Sequence, residues 1–509
     1  MRPSVVGLLI FAFAAALPPA AHGAETYTPT RLTAEAVFAK AVAARGRLKH
    51  GAYHRVEETT RSGGTVHIDA YEGEGKYVET QREGPFTIAY GIDGDAEWDQ
   101  DENGAVTFES GFHVSDDPFN AAIDAKPKTV ADSPVKVLGI TGGDPACIVV
   151  EVTPQKGLVQ HRYYDAKTFL LRRIETTDYT GQTTTYAYDD FHTAYGLTYA
   201  QSITFSDSHP ENTAHTRVLA FEPVSPSLVH AAPPANKPLF DLGGRAAVKI
   251  PADFTEHGII VRLTIAGRGL DFELDSGASS LVLDASVARQ LGLTVSDMHR
   301  ADFGGDFVYG RTQVADLGLG DLHAHNVTIE SIPFDQNVGD RKVVGLLGGD
   351  FFATQRVAVN FKDDTLTVMP SVKAAPASPW VSVPIQVDDR VPRTHAKFNA
   401  VDGAFIVDLG ADETMLYPHF FRQFHPNRAG DVMGQVVGIG REAIDFHRYT
   451  FSRFDLGDLA FADASAIVAQ GAKFEDLDYD GLLGRNILSD FNLIFDYPNQ
   501  KLYVESLVQ

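Results

Sequence analysis

Cysteine is almost absent from this chain: Cys147 is the only one in 509 residues. A lone thiol excludes an intramolecular disulfide framework and any cysteine-rich zinc site. Cationic residues are also few, 43 Lys and Arg against 67 Asp and Glu, for a formal net charge of −24. No broad basic surface can form on such a chain, so nucleic acid is not an expected partner. After the first two dozen residues, no apolar run reaches the length needed to span a bilayer. What is present points to folded β structure. Hydrophobic residues make up 44% and charged residues 22%, which rules out general disorder. The 45 glycines and the 10% aromatic content favour strands and turns over long helices. At about 150 residues per domain, the length accommodates about three domains.

Residues 1–24 read as processing information. Arg2 precedes an uncharged apolar run over 5–17, Pro18-Pro19 ends it, and Ala21-His22-Gly23 supplies small residues for cleavage. That pattern is a secretory signal peptide, and its apolar run is too short for a membrane span. The expected location is therefore periplasmic or secreted, as a soluble chain. A single cysteine suits an oxidising compartment because it has no partner to mispair with.

Residues 33–48 are Ala-rich with apolar positions at Val37, Ala41 and Val42, an amphipathic helix opened by Thr33 as its cap. From about His50 to Phe221, short β-rich stretches alternate with Gly, Asp and Pro turns, which predicts an antiparallel meander. Residues 223–238 and 371–379 are rich in Pro, Ala and Ser and read as linkers. The chain thus divides into a signal at 1–24, an N-terminal domain at 25–222, and two further pieces at 239–370 and 380–509.

Those two pieces repeat each other. Residues 343–368 align without a gap to 479–504, at an offset of 136. Leu319-Gly320-Asp321-Leu322 recurs as Leu456-Gly457-Asp458-Leu459, and FELDSGASSLVLD at 272–284 answers to FIVDLGADETMLY at 405–417. Three matched blocks in one order argue for internal duplication.

Each copy carries one carboxylate in the same setting. An apolar strand leads to Asp275 in Asp275-Ser276-Gly277 and to Asp408 in Asp408-Leu409-Gly410. About seventy residues later, an apolar pair sits between glycines, Gly345-Leu346-Leu347-Gly348 and Gly481-Leu482-Leu483-Gly484. With these motifs the region 250–509 resembles the retropepsin/pepsin aspartic peptidases, as two retropepsin-type repeats in one chain. The resemblance implies a mainly β fold: the N-terminal helix and meander, then two tandem retropepsin-like β-barrels forming an intramolecular pseudo-dimer. It further implies catalysis by Asp275 and Asp408, support from Ser276, Gly277, Ser279 and Gly410, and an ion pair between Asp412 and Arg485. The sequence adds its own check on that pair. The first copy has Ser279 where the second has Asp412, and Gly349 where the second has Arg485. Both partners are present together or absent together, as a partly buried ion pair requires.

Two facing carboxyls cannot both ionise cheaply, so they share a proton, which leaves one acid and one base at the same pH. Water is then the nucleophile, with no cofactor and no metal, and the substrate is a peptide or protein. The duplication makes a monomer sufficient. Flap candidates lie at 303–310, with Tyr309, and at 433–440, with Val437. One departure stands out: the family has Thr or Ser after each catalytic Asp, and Leu409 can neither donate nor accept. The sequence therefore leaves two readings open, an active exported endopeptidase or a catalytically degenerate cleft that binds a peptide or lipid. The N-terminal helix and meander resemble the periplasmic lipoprotein-carrier fold. Cys147, within CIVVEV, reads as a buried core thiol.

Overall fold

The computed structural model describes residues 26–49, 51–94, 96–108, 123, 133–155, 158–177, 182–302, 306–334, 336–377, 379–424, 434–437, 443–469 and 479–507. The signal reading of residues 1–24 lies outside them, as do Phe303–Gly305, Met433 and Gly438–Gly440 of the two flap candidates. The chain is mainly β, with large antiparallel sheets. It forms two compact units. The described residues of Ala16–Asp99 and Gly111–Pro233 make the first, and those of Gln100–Ser110 and Pro234–Gln509 make the second.

The first unit is built outward from the antiparallel pair Ala52–Arg61 and Ala214–Pro223. On one side the sheet continues through Gly64–Gly73, Lys76–Glu83, Phe86–Asp93 and Ala96–Gln100. On the other it runs through Leu197–Ser206, Thr183–Ala194, Leu171–Thr177, Leu158–Asp165, Cys147–Gln155 and Val135–Ile140. Apart from the central pair, neighbours in the sheet are neighbours in the chain, as the alternation of β-rich segments and turn residues predicts. The helix α1 (Ala34–Arg45) starts where expected: the Thr33 hydroxyl accepts from Ala36 N at 3.2 Å. It ends at Gly46, whose φ of 79° is a conformation glycine adopts without steric cost. Val37, Phe38 and Ala41 form its buried face and pack with Val150, Tyr164, Ile174, Tyr188 and Ile203 of the sheet. Cys147 is a buried thiol beside Val149 and Tyr163.

In the second unit, the repeat in the sequence reappears as a repeated order of strand pairings. Arg268–Leu274 runs parallel to Gly345–Leu347, with Leu274 opposite Leu347. Val282–Asp284 lies antiparallel on the other side of Gly345–Leu347 and parallel to Leu322–Ile332. The second copy does the same: Val401–Val407 pairs in parallel with Gly481–Leu483, and Met415–Leu416 lies between Gly481–Leu483 and Ala464–Ala469. A six-stranded sheet takes three strands from each copy. Its middle is the antiparallel pair Gln355–Asn360 and Phe491–Asp496, with Val357 opposite Phe495. One continuous apolar core runs through both copies. It includes Phe272, Leu274, Leu347, Phe352, Phe405, Val407, Leu409, Leu483 and Phe495.

Candidate active site

Asp275 and Asp408 each leave the end of an apolar strand and enter a tight loop. Their backbone N–H groups still donate to the neighbouring strand, Asp275 N to Leu347 O at 3.1 Å and Asp408 N to Leu483 O at 3.0 Å. Each carboxylate then folds back on its own loop. Asp275 Oδ1 accepts from Gly277 N at 2.8 Å and Ala278 N at 3.1 Å. Asp408 Oδ1 accepts from Gly410 N at 2.8 Å and Ala411 N at 3.1 Å. The two carboxyl groups lie close together, each set against the glycine of the other loop. Glycine at 277 and 410 is what permits this approach. A Cβ on Gly277 would stand 2.5 Å from Asp408 Cγ, and one on Gly410 would stand 2.5 Å from Asp275 Cγ.

The electrostatics follow from burial. Asp408 is held well above the usual carboxylate range, first by desolvation and then by the charge of Asp275. Asp275 is also raised by burial, an effect partly offset by the loop N–H donors and by Asp408. The pair therefore retains a proton at pH values where isolated aspartates are ionised. Glu273, two residues before Asp275, is buried too. Desolvation and then the Asp275 charge raise it well above the ordinary range, while Arg485 pulls the other way. The Tyr497 phenol is likewise pushed well up by burial and then by the two aspartates.

Ser276 is completely buried and bridges the two copies. Its hydroxyl donates to Val407 O at 2.8 Å and accepts from Leu409 N at 3.0 Å. Leu409 returns no such bond. Its side chain is fully buried in the shared apolar core, so half of the reciprocal hydroxyl brace is replaced by apolar contact. Replacing Ser276 by Ala leaves the buried Leu409 N–H without an acceptor, at about 1–3 kcal/mol. We expect a lowered melting temperature for Ser276→Ala; a variant that melts with the wild type would contradict this role.

The ion pair expected from the sequence is formed: Arg485 Nη2 bonds Asp412 Oδ1. Arg485 also donates through Nη1 to Leu409 O at 3.0 Å and lies 3.7 Å from Glu273 Oε1. The guanidinium thus ties the Asp408 loop to the strand that delivers Asp275. His257 of the first copy approaches Asp412 Oδ2 at 3.6 Å. Ser279 differs from the role implied for it. Its hydroxyl is buried with no hydrogen-bond partner among the described residues, and the loop N–H groups orient Asp275 instead. Tyr309 lies on the long strand Asp306–Leu319 with its ring 5.4 Å from that of His299, packed against the cluster of Ala278, Val282 and Leu346. Val437 lies on the short strand Gly434–Val437, opposite Ala443.

A family model described as Aspartyl protease matches residues 261–351, which include Asp275-Ser276-Gly277 and Gly345–Gly348. No curated protein matches the chain. Among solved structures, the chain is similar to an aspartic proteinase from Irpex lacteus, at 13% identity over 51% of this chain and 97% of that one, with a TM-score of 0.36. It is also similar to a LolA superfamily protein from Nitrosomonas europaea, at 12% identity over 38% of this chain and 94% of that one, with a TM-score of 0.30. A third is a DUF1329 family protein from Desulfovibrio piger, at 14% identity over 37% of this chain and 92% of that one, with a TM-score of 0.29. The region around Asp275 is therefore peptidase-like in sequence. Among the described residues, no helix is long and apolar enough to cross a membrane.

Proposed function

We propose that the chain is an exported aspartic endopeptidase, with the copies at 239–370 and 380–509 acting as an intramolecular pseudo-dimer of retropepsin-type barrels. Asp275 and Asp408 are its catalytic residues. The observation that carries this reading is a pair of buried carboxyl groups set against each other's loop glycine, each held by a matching pair of loop N–H donors.

In the reaction, the ionised carboxylate takes a proton from water as the water oxygen attacks the peptide carbonyl carbon. The protonated carboxyl gives its proton to the carbonyl oxygen, forming a tetrahedral diol. The C–N bond then breaks as the amide nitrogen receives a proton from one carboxyl and a diol hydroxyl returns its proton to the other, leaving a carboxylic acid and an amine and restoring the pair. The loops that hold the carboxyls stay fixed through both steps, so little reorganisation is needed as charge moves. The substrate is a peptide or protein, and a monomer is sufficient. Residues 1–24 support export by their signal pattern.

A second reading has one specific support. Leu409 stands where a hydroxyl would complete the brace, so the same cleft could bind a peptide or lipid without cutting it. Incubating the purified chain with a diverse peptide library from about pH 3 to pH 8 decides between them. New C-termini, each carrying one oxygen from labelled water, are expected. Ligand retention with no cleavage anywhere in that range would favour the binding module.

A further inference from the structure

The loop that carries Asp275 lacks the arginine that braces its counterpart. Arg485 ties the Asp408 loop through Leu409 O and Asp412. The equivalent position in the first copy is Gly349. Another arginine fills that space. A Cβ on Gly349 would lie 2.6 Å from Arg390 Cβ, and Arg390 Nε donates to Ser279 O at 3.1 Å. Arg390 comes from the second copy, at the turn between Gln386–Asp388 and Val391–Phe398. Asp389 and Arg390 both have positive φ, 48° and 62°, a conformation costly for non-glycine residues and held only where the surroundings impose it.

Arg390 is itself held by a segment outside both copies and outside the matched region 261–351. Asp101 opens the turn between Ala96–Gln100 and Val106–Phe108. Its Oδ1 accepts from Asn103 N at 2.9 Å and Ala105 N at 2.8 Å, and its Oδ2 accepts from Arg390 Nη1 at 2.8 Å. Asp350, whose Oδ2 accepts from Leu281 N at 2.9 Å, lies 3.5 Å from Arg390 Nε through its other oxygen. The next two turn residues are bound as well. Glu102 pairs with Arg311, which pairs with Asp297, and Asp297 accepts from His299 at 2.8 Å. The Asn103 side-chain amide donates through Nδ2 to Thr328 O at 3.0 Å and accepts through Oδ1 from Thr328 N at 2.9 Å. Desolvation raises Asp101 to about 7, against the opposing pull of Arg390.

We infer that Asp101-Glu102-Asn103 is a positioning element for the Asp275 loop: Asp101 fixes Arg390, and Arg390 replaces the arginine missing at Gly349. This inference rests on the peptidase reading for its catalytic consequence. It means that the repeats alone do not hold a complete site, and that a segment from the N-terminal half of the chain supplies the last buried support.

The test uses the full chain. Asp101→Asn keeps an acceptor for the turn N–H groups and puts an N–H donor where Arg390 Nη1 needs an acceptor. We expect kcat to fall between about tenfold and a hundredfold with KM within about twofold, the pattern of a misplaced reacting group. We also expect amide exchange of 276–284 to rise by about tenfold while that of 409–417 stays unchanged. Should Asp101→Asn fail to fold, Arg390→Lys keeps the positive charge but loses the planar fork, and the same two readouts apply. Unchanged exchange at 276–284, or a rise in KM alone, overturns the inference. A wild-type chain that hydrolyses nothing removes the peptidase reading and leaves the exchange measurement to decide this inference by itself.

Discussion

Asp275→Asn and Asp408→Asn should each lower peptide hydrolysis by at least about 10³-fold, because the two residues act as a unit. An amide can neither take the proton from water nor supply one to the carbonyl oxygen. The substitution is nearly isosteric, and its Oδ1 still accepts the same loop N–H groups, Gly277 and Ala278 in one copy and Gly410 and Ala411 in the other. The fold should therefore survive, with melting near pH 7 at or above wild type, since each variant removes a carboxyl that burial penalises. The double variant should be no worse than the weaker single one. Activity within tenfold of wild type in either single variant would sink the assignment.

The parts of the site that could be read from sequence are those specified locally. Asp275 and Asp408 announce themselves because the strand, the carboxylate and the glycine two positions on lie within a few residues, and duplication prints the pattern twice. The Arg485–Asp412 pair was legible for another reason: its two members vanish together in the first copy. Glu273 was within reach, since strand alternation puts it on the same face as Asp275. Arg390 and Asp101 were not. They are separated by 289 residues and both sit in turns, where a charged residue ordinarily faces solvent. Only the folded chain shows that both are buried and paired. The Ser279 hydroxyl is buried with no hydrogen-bond partner among the described residues, while Asp275 Oδ1 takes its donors from Gly277 N and Ala278 N. The meander was readable because, outside the central pair, neighbours in the sheet are neighbours in the chain. How residues 100–108 group with the second unit was not, because that depends on Asn103, Glu102 and Asp101 finding partners in residues 297–390.

The second unit should lose stability as pH rises from 5 to 8.5, its melting temperature falling by roughly 5–10 °C. The sign follows from the direction of the shifts. Burial raises Glu330 to about 8 and Asp101 to about 7, and it also raises Glu273, Asp275, Asp350 and Asp408. A carboxyl with a raised value in the folded state holds a proton that the unfolded chain has already released above about pH 4. Its contribution is fully present below that point and is lost as pH climbs through the folded value, so the window runs from about pH 4 to pH 8. Glu330 supplies a separable part of this slope. It is buried close to Asp350 and Arg390 and is not among the catalytic groups. Glu330→Gln should flatten the decline between pH 5 and 8.5 and leave melting at pH 5 nearly unchanged, because the folded protein already carries a neutral side chain there. Thermal denaturation of both chains across that range reads the difference. A wild-type melting temperature that is flat or rising would mean that these carboxyls are ionised in the folded chain. A dyad that holds its shared proton in mild acid and a fold that is firmest in the same range have one cause, the burial of carboxyl groups around the Asp275 loop. Activity and stability should therefore decline together toward alkaline pH.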